Sequence, residues 1–424
     1  MSSITGWKRL NAAWLAAAAL LLAACGGGGG SGNIGVGSGL GDGGGAATSP
    51  LASAEVQKAA SPQAEEELPL SEHADGTGPA ARFVEPGAMA IDRFGNQFVI
   101  DRMPDQDTVI RKITPEGVVS TLTTTASGGP DNLLRWSGAP LGGIAVDAQG
   151  TLYVSNYWNA VIEKIDAAGV VSVLAGKRGE QGLRDGIGDE VRLDMPMAIA
   201  AAADGTVYFV EYYQNKVRKI APDGAVGTIA GGGGWGPGDN GGDGVGADAR
   251  FNYPSALAVD GQKNLYVFDD RRVRKITAQG SVTTLAGSNN ALRPYYVDGE
   301  GVAAGFGYQP GALSVDSSGA IYLADTGNNV IRKVQPDGTV STFAGAQYPS
   351  VVLDSDGYNT PAAPLYQDGG AQVARFGSLR GLAISTQGIV YAVDAGNFLI
   401  RKVEAGNVST LAGRRSRPSL SMNP

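Results

Sequence analysis

The sequence has almost no cysteine or histidine, and its excess charge is negative. Cys25 is the single cysteine and His73 the single histidine of 424 residues. One cysteine excludes an internal disulfide and a cysteine-cluster zinc site, and one histidine excludes a multi-histidine metal site. A formal net charge of -8 is the opposite of the basic surface that a general nucleic-acid binder carries, so we expect no nucleic-acid partner.

Charged residues are also sparse, whereas glycine is abundant. Lys, Arg, Asp and Glu make up 17% of the chain, against an ordinary share of about 25%. There are 65 glycines, and 43% of the residues are hydrophobic. This composition indicates a turn-rich globular protein with a moderate core, rather than a collagen-like or a disordered chain.

Residues 1–24 have the parts of an export signal. Two basic residues, Lys8 and Arg9, precede an apolar stretch that is shorter than the about 20 residues needed to span a bilayer core. The stretch ends in Leu22-Ala23-Ala24-Cys25, which resembles a bacterial lipobox. The resemblance implies a lipoprotein signal peptide, lipidation of Cys25 (palmitate among the acyl chains) and a membrane anchor, and the glycine after it implies the outer membrane. The alternative is an ordinary cleavage site beside an incidental cysteine.

Residues 25–74 are predicted to be the lipidated cysteine and a flexible tether. The segment is rich in Gly, then in Ala, Ser, Pro and Glu, and cannot bury enough apolar surface to fold. A flexible coil of this length has an end-to-end distance of roughly 35–40 Å. We expect it to hold the following domain away from the lipid, on the periplasmic or the surface face, with His73 as a loop residue near its end.

Residues 75–413 contain six copies of one unit, followed by a tail at 414–424. The copy that starts at Gly143 reads Gly-Ile-Ala-Val-Asp, Leu-Tyr-Val-Ser-Asn, Val-Ile-Glu-Lys-Ile and Val-Ser-Val-Leu-Ala-Gly. Short runs rich in β-branched and aromatic residues, with turn residues between them, predict a four-stranded antiparallel meander. Six such units predict an all-β fold, a six-bladed β-propeller. A sandwich or an open solenoid could share the strand pattern, but the fixed connector between units favours the propeller.

The connector between units also repeats, and it suggests how the ring closes. Copies begin Asp-Gly and end in an aromatic or leucine residue, as in 75–83, 185–193 and 298–306. The terminal aromatic is expected to wedge between blades, and a following proline to start the innermost strand, where no ladder donor is required. Because residues 75–83 precede the first unit and nothing equivalent follows the last one, we expect this connector to pack on the last blade and close the ring.

The units resemble the NHL-repeat family of six-bladed propellers. The resemblance rests on Gly-Ile-Ala-Val-Asp, Leu-Tyr-Val-Ala-Asp, Val-Ile-Arg-Lys-Ile, Pro-Asp-Gly and Val-Ser-Thr-Leu-Ala-Gly patterns throughout 75–413. The tripeptide that names the family is not intact, because its Asn survives at 159, 215, 329 and 397 without the following His. The resemblance implies the fold; it does not support a role that needs this histidine.

Charged residues recur at fixed places in the units. The second strand closes on Asp101, Asn156, Glu211, Asp269, Asp325 and Asp394. A ring of carboxylates could bind a divalent cation, but an Asx-type turn that accepts nearby backbone N–H groups is the favoured interpretation. The Arg-Lys pairs of the third strands are expected to face outward into solvent.

Aromatic residues form the best candidate binding surface. In propellers of this type, the loops between second and third strands share one rim with the connectors. That rim would carry seven aromatic candidates: Tyr157, Trp158, Tyr212, Tyr213, Trp235, Tyr295 and Tyr296. Exposed aromatics offer rigid contact area with a polar tip, which suits ligand binding. Packing against the Gly-rich connectors is the alternative.

Catalytic motifs are missing from the repeats. The sequence has no Gly-x-Ser-x-Gly elbow, and no triad can form without a histidine in the domain. The similar lyases of this architecture rely on histidines, and the similar lactonases hold a divalent metal at the axis. Glu85, Gln309 and Arg380 are the polar candidates where the innermost strands begin, too few for an oxygen cage.

These observations favour a cell-envelope lipoprotein whose propeller is a non-catalytic binding module for a protein, peptide or glycan. No cofactor is expected, although a divalent cation stays possible. A metal-dependent hydrolase or lactonase is the alternative, and a purely structural envelope protein is a third interpretation.

Overall fold

The computed structural model describes residues 73–103, 107–122, 135–136, 141–232, 241–290, 295–307, 311–346, 352–353, 359–360 and 366–415. The chain divides after Glu65, and every described residue belongs to the second unit, Glu66–Pro424. The expected signal peptide, Cys25 and Trp235 lie outside the described residues.

The second unit is a six-bladed β-propeller, as the repeats predict. Each blade is an antiparallel meander, and the first strands of neighbouring blades contact one another, so these strands surround a central axis. From the axis outward, the strands of the first three blades are Pro86–Ile91, Gln97–Arg102, Thr108–Ile113 and Val118–Thr121 in blade 1; Gly143–Val146, Leu152–Asn156, Val161–Ile165 and Val171–Gly176 in blade 2; Pro196–Ala201, Val207–Glu211, Lys216–Ile220 and Ala225–Ala230 in blade 3.

The other three blades repeat this order. Their strands are Pro254–Val259, Leu265–Asp269, Arg272–Ile276 and Ser281–Gly287 in blade 4; Leu313–Val315, Ile321–Asp325, Val330–Val334 and Thr339–Ala344 in blade 5; Leu379–Ile384, Val390–Asp394, Leu399–Glu404 and Asn407–Ala412 in blade 6. Prolines 86, 196 and 254 begin innermost strands, where the sequence predicts them.

Connectors add a fifth strand to five of the sheets. These connector strands pair with the outermost strand of the blade that they precede; they are Gly76–Thr77, Gly186–Ile187, Gly244–Val245, Gly299–Glu300 and Gly369–Gly370. Short 3-10 turns follow four of them, at Gly78–Ala80, Gly188–Glu190, Gly246–Asp248 and Gly301–Ala303, and another lies in blade 6 at Ala395–Asn397. Arg135–Trp136 pairs with the third strand of blade 1, and Val352–Leu353 with Asn359–Thr360.

The core is divided among the gaps between blades. The described residues form six buried apolar clusters, one between each pair of adjacent blades. Between blades 4 and 5, the connector residue Phe306 packs edge-on against Phe268, with ring centroids 5.9 Å apart. Phe83, Leu193, Phe251 and Phe376 are buried at the equivalent position, which confirms the predicted wedge.

The ring closes through the first connector. The Gly78 carbonyl accepts a hydrogen bond from the Gly413 N–H at the end of blade 6 (3.1 Å), and the Gly78 N–H donates to Gly117 in blade 1 (2.9 Å). Phe83 and Ala81 belong to the apolar cluster that contains Tyr391 and other blade 6 residues. The predicted closure by residues 75–83 is therefore confirmed.

Candidate functional site

One face of the propeller carries both the loops between second and third strands and the connectors. Asn215, in such a loop of blade 3, accepts the Tyr253 N–H at the end of the next connector (2.8 Å). Asn328, in the corresponding loop of blade 5, donates to the Tyr295 carbonyl (2.8 Å). This face, which we call the connector rim, is the one that the sequence predicts for binding.

The acidic residues that close the second strands are buried and bind backbone groups far away in sequence. Asp101 Oδ1 accepts the N–H groups of Val84 and Glu85 at 3.0 and 2.9 Å. Asp325 and Asp394 hold Gly307 and Gly377 in the same way. These acids therefore anchor the segment that enters the innermost strand. The favoured Asx-type turn is therefore wrong at Asp101, Asp325 and Asp394, because their backbone partners lie 16 to 18 residues upstream in the sequence.

The arginines of the third strands face inward, which corrects the solvent-facing orientation expected from sequence. Five of them are at most 1% exposed: Arg111, Arg218, Arg274, Arg332 and Arg401. The lysine after each one is partly or fully exposed, because successive residues of a strand point to opposite faces. Only half of each Arg-Lys pair is therefore solvated.

Blade 5 shows the full set of contacts around such an arginine. The guanidinium of Arg332 donates to Asp325 (3.3 Å) and to Asp298 in the connector (2.7 Å), and to the carbonyls of Gly305 and Val297 (both 2.9 Å). Asp298 also accepts the N–H of Thr342 in the outermost strand (3.0 Å). One buried cation thus links the second, third and outermost strands of a blade to its connector.

Within the described residues, the same network recurs in every other blade except blade 2. The connector aspartates are Asp75, Asp185, Asp243 and Asp368, paired with Arg111, Arg218, Arg274 and Arg401. Blade 2 has Glu163 where the others have arginine. Trp136 Nε1 donates to Glu163 (2.6 Å), and Arg178 pairs with it from the following connector.

Burial shifts the pKa values of these acids. It raises the pKa of Asp101, Asp269, Asp325 and Asp394, against the opposing effect of the facing arginines and hydrogen bonds. In blade 3 a glutamate takes this position, and burial raises the pKa of Glu211 to about 7. Glu211 Oε1 accepts from Asp194 and Arg218, both at 3.0 Å, whereas Oε2 has no hydrogen-bond partner among the described residues.

Three of the predicted aromatics, Tyr157, Tyr212 and Tyr213, lie close together on the connector rim. Tyr212 packs edge-on against Tyr213 at 5.1 Å between ring centroids and lies 5.2 Å from Tyr253. Tyr157 in blade 2 lies near Tyr213, and burial raises the pKa of both Tyr157 and Tyr212. Trp158, beside Tyr157, is 56% exposed.

Tyr253 joins this group and is not among the sequence candidates. Its φ of 58° lies in the left-handed region, which bulky side chains rarely adopt. The Asn215 side chain accepts its N–H and stabilises that conformation. Met195, directly before Pro196 in blade 3, has the same conformation with a φ of 50°, so this backbone belongs to the repeat. An aromatic directly before the proline that opens an innermost strand is the sequence signal that could have found it.

The other two described candidates, Tyr295 and Tyr296, lie over arginines instead. Tyr295 packs against Arg271 at 4.9 Å, measured from ring centroid to Cζ, and is 43% exposed. Tyr296 lies 4.9 Å from the Cζ of Arg332, and its hydroxyl is 2.7 Å from Thr342 Oγ1. Tyr296 is thus part of the blade network.

Charged groups border the tyrosines at the mouth of the axial channel. Arg380 of blade 6 pairs with Glu85 of blade 1 at 2.9 Å, and Arg102 lies 3.9 Å from the same carboxylate. The channel itself has a volume of about 260 Å³ and a mostly apolar lining with Ser255 and Ser314. Within the described ranges, no group of three or more His, Cys, Asp or Glu side chains is arranged to hold a metal ion, and no helix is long and apolar enough to cross a membrane.

Comparisons with known proteins identify the fold and distant relatives. No family model matches the chain. It is 31% identical to Teneurin-3 of Danio rerio over 227 residues, which is 49% of this chain and 8% of that one. It is 25% identical to Teneurin-m of Drosophila melanogaster over 353 residues, 78% of this chain and 12% of that one. The chain therefore spans about a tenth of the length of these curated relatives.

Solved structures share the architecture at low sequence identity. An auxiliary nutrient binding protein from Bacteroides thetaiotaomicron superposes with a TM-score of 0.53 and 16% identity, covering 81% of this chain and 74% of that one. A protein of unknown function from the same organism gives 0.52 and 21%, covering 80% and 74%. Similarity at this level supports the propeller fold and no shared activity.

Proposed function

We propose that this protein is a lipid-anchored cell-envelope protein of the NHL-repeat type, whose propeller binds a protein, peptide or glycan at the connector rim without catalysis. The observation that carries the proposal is the group of Tyr157, Tyr212, Tyr213 and Tyr253 beside exposed Trp158. Buried tyrosines alone would serve packing, but Trp158, next to Tyr157 in sequence, is 56% exposed and Tyr253 is 38% exposed.

The tyrosines are held in place before any ligand arrives. Tyr212 contacts two other rings, and the Asn215 carboxamide fixes the backbone of Tyr253. Rigid aromatic side chains lose little conformational freedom on binding, so more of the contact energy contributes to affinity. Tyr253 is 38% exposed, so its ring is available to a ligand on the rim.

Charged groups beside the rings supply orientation. Arg102, Glu85 and Arg380 line the same opening, with side chains 26%, 44% and 50% exposed. An apolar or aromatic floor with a few convergent polar groups is typical of ligand sites. Peptide amides and carboxylates, or sugar hydroxyls stacked on aromatic faces, match this mixture. Lipidation of Cys25 and a flexible segment up to residue 74 would keep the rim accessible outside the membrane.

Binding to peptide and glycan arrays tests the proposal. Trp158→Ala with Tyr213→Ala is expected to weaken binding of any captured ligand by roughly tenfold or more, because aromatic residues at the centre of an interface carry most of its energy. Phe94→Ala is the matched control, since Phe94 is 68% exposed in a first-to-second-strand loop on the opposite face. Equal binding by the double variant and the wild type would contradict the proposed rim site.

A further inference from the structure

Blades 5 and 6 each contain a tyrosine that covers the buried arginine from the connector side. Tyr296 lies 4.9 Å from the Cζ of Arg332, and Tyr366 lies 4.7 Å from that of Arg401. The Tyr366 hydroxyl is 2.9 Å from Thr410 Oγ1 and donates to Asp368 at 3.0 Å. The propeller thus already holds a phenol ring in such a slot: the ring packs over an arginine, and the phenol oxygen lies next to the Thr410 hydroxyl and the Asp368 carboxylate.

Blade 3 has the same slot without the tyrosine. Arg218 donates to the Arg184 carbonyl (3.1 Å) as Arg332 donates to Val297, so Leu183 occupies the position of Tyr296. Leu183 is 46% exposed. Thr228 is exposed, whereas its counterparts at positions 342 and 410 are partly covered by the tyrosines.

A cavity of about 270 Å³ opens at this place. It is lined by Leu183, Asp185, Glu211, Lys216, Arg218 and Thr228, among others. Asp185 and Thr228 correspond to the groups that receive the tyrosine hydroxyl in blade 6. The side chains of Leu183 and Lys216 are partly exposed and flexible, so they can turn outward and admit a planar ring.

The polar groups of the cavity are incompletely paired. Glu211 is fully buried, and its Oε2 accepts no hydrogen bond within the described part of the chain. In blade 5 the corresponding Asp325 Oδ2 accepts from Asn328 (2.9 Å), but in blade 3 the equivalent Gln214 donates to Asp194 instead. The cavity lining thus includes a buried polar atom that no described group pairs with.

We infer that the blade 3 cavity binds a phenolic ring, stacked over Arg218 with its hydroxyl directed at Thr228 and Asp185. The ring is that of a tyrosine in a peptide or of a free small phenol, since both present the same chemistry. This site goes beyond the proposed function and does not depend on it, because none of its residues belongs to the aromatic group on the connector rim.

The test uses 4-methylphenol, the side chain of tyrosine as a free molecule, and ligand-observed NMR on the wild-type protein. We expect saturable binding with a dissociation constant on the order of 1 mM, as suits a ligand of this size. Leu183→Tyr should abolish binding by placing a tethered phenol in the slot, whereas Leu183→Ala should retain it. Toluene, which lacks the hydroxyl, should bind at least fivefold more weakly.

A second engineered slot provides an independent control. Tyr296→Leu should create in blade 5 the arrangement of blade 3, and 4-methylphenol should then raise the melting temperature of this variant more than that of the wild type. N-acetyl-tyrosinamide separates the two sources: if it binds with similar affinity, the occupant is a peptide tyrosine; if only 4-methylphenol binds, it is a free phenol.

Three outcomes would overturn the inference. These are no saturable binding to the wild type, undiminished binding to Leu183→Tyr, and equal binding of toluene. Because Trp158→Ala with Tyr213→Ala leaves blade 3's cavity intact, failure of this site and failure of the rim site are distinguishable.

Discussion

Replacing Arg332 by methionine removes the buried guanidinium that pairs with both Asp325 and Asp298. Asp325, which is only 1% exposed, loses its cationic partner. The carbonyls of Gly305 and Val297 each lose a hydrogen bond of 2.9 Å. Breaking a buried ion pair by removing one partner costs about 3–5 kcal/mol. We expect Arg332→Met to lower the free energy of unfolding by this amount, measured by equilibrium urea denaturation followed by circular dichroism.

Two further variants distinguish the cost of losing the ion pair from the cost of losing packing. Lys333→Met, one residue further along the strand on the partly exposed face, should change the unfolding free energy by no more than about 0.5–1 kcal/mol. Asp325→Asn combined with Arg332→Met should cost less than the sum of the two single changes, by about 0.5–3 kcal/mol, because the double variant buries no unpaired carboxylate. If Arg332→Met were no more destabilising than Lys333→Met, the network would not hold the blade to its connector.

Deleting residues 73–83 should lower the unfolding free energy by more than about 3 kcal/mol, because it removes the Gly78–Gly413 hydrogen bond and three partners of Arg111. An unchanged melting temperature would show that blade 6 closes on blade 1 without the connector. Burial raises the pKa of Glu211 from 4.5 to about 7, so the folded state keeps the Glu211 proton where the unfolded state loses it, and the resulting stability is lost as pH rises from about 4.5 through 7. The wild type should therefore lose up to about 3 kcal/mol of unfolding free energy relative to Glu211→Gln over that range. A difference between the two proteins that does not change with pH would contradict this. Cys25→Ala should move the protein from the membrane to the soluble fraction on cell fractionation, and persistence in the membrane fraction would disprove the lipid anchor.

The repeat pattern was sufficient to predict the architecture. Strands, connectors, the proline that opens an innermost strand and the closing role of residues 75–83 follow from local rules: alternation of side chains, turn residues at fixed offsets, and a connector left without a preceding blade. These features depend on neighbours in sequence, so they can be derived without coordinates.

The orientation of the third-strand arginines could not be derived in this way. Alternation requires that one residue of each Arg-Lys pair faces inward, but it does not say which. Arg401 is buried because Asp394, seven residues away, and Asp368, 33 residues away, converge on it. Only the folded blade brings these carboxylates together.

For the candidate site, too, some features follow from the sequence and others only from the folded structure. The sequence by itself determined a six-bladed propeller with aromatics on the rim of its connectors, because short-range periodicity decides which residues form strands and which form loops. The tertiary structure decided which aromatics act together: it brought Tyr253 to Tyr212 through a left-handed backbone, used Tyr296 to cover Arg332, and left a cavity in blade 3. These outcomes depend on packing between residues that are tens of positions apart, for which sequence spacing carries no signal.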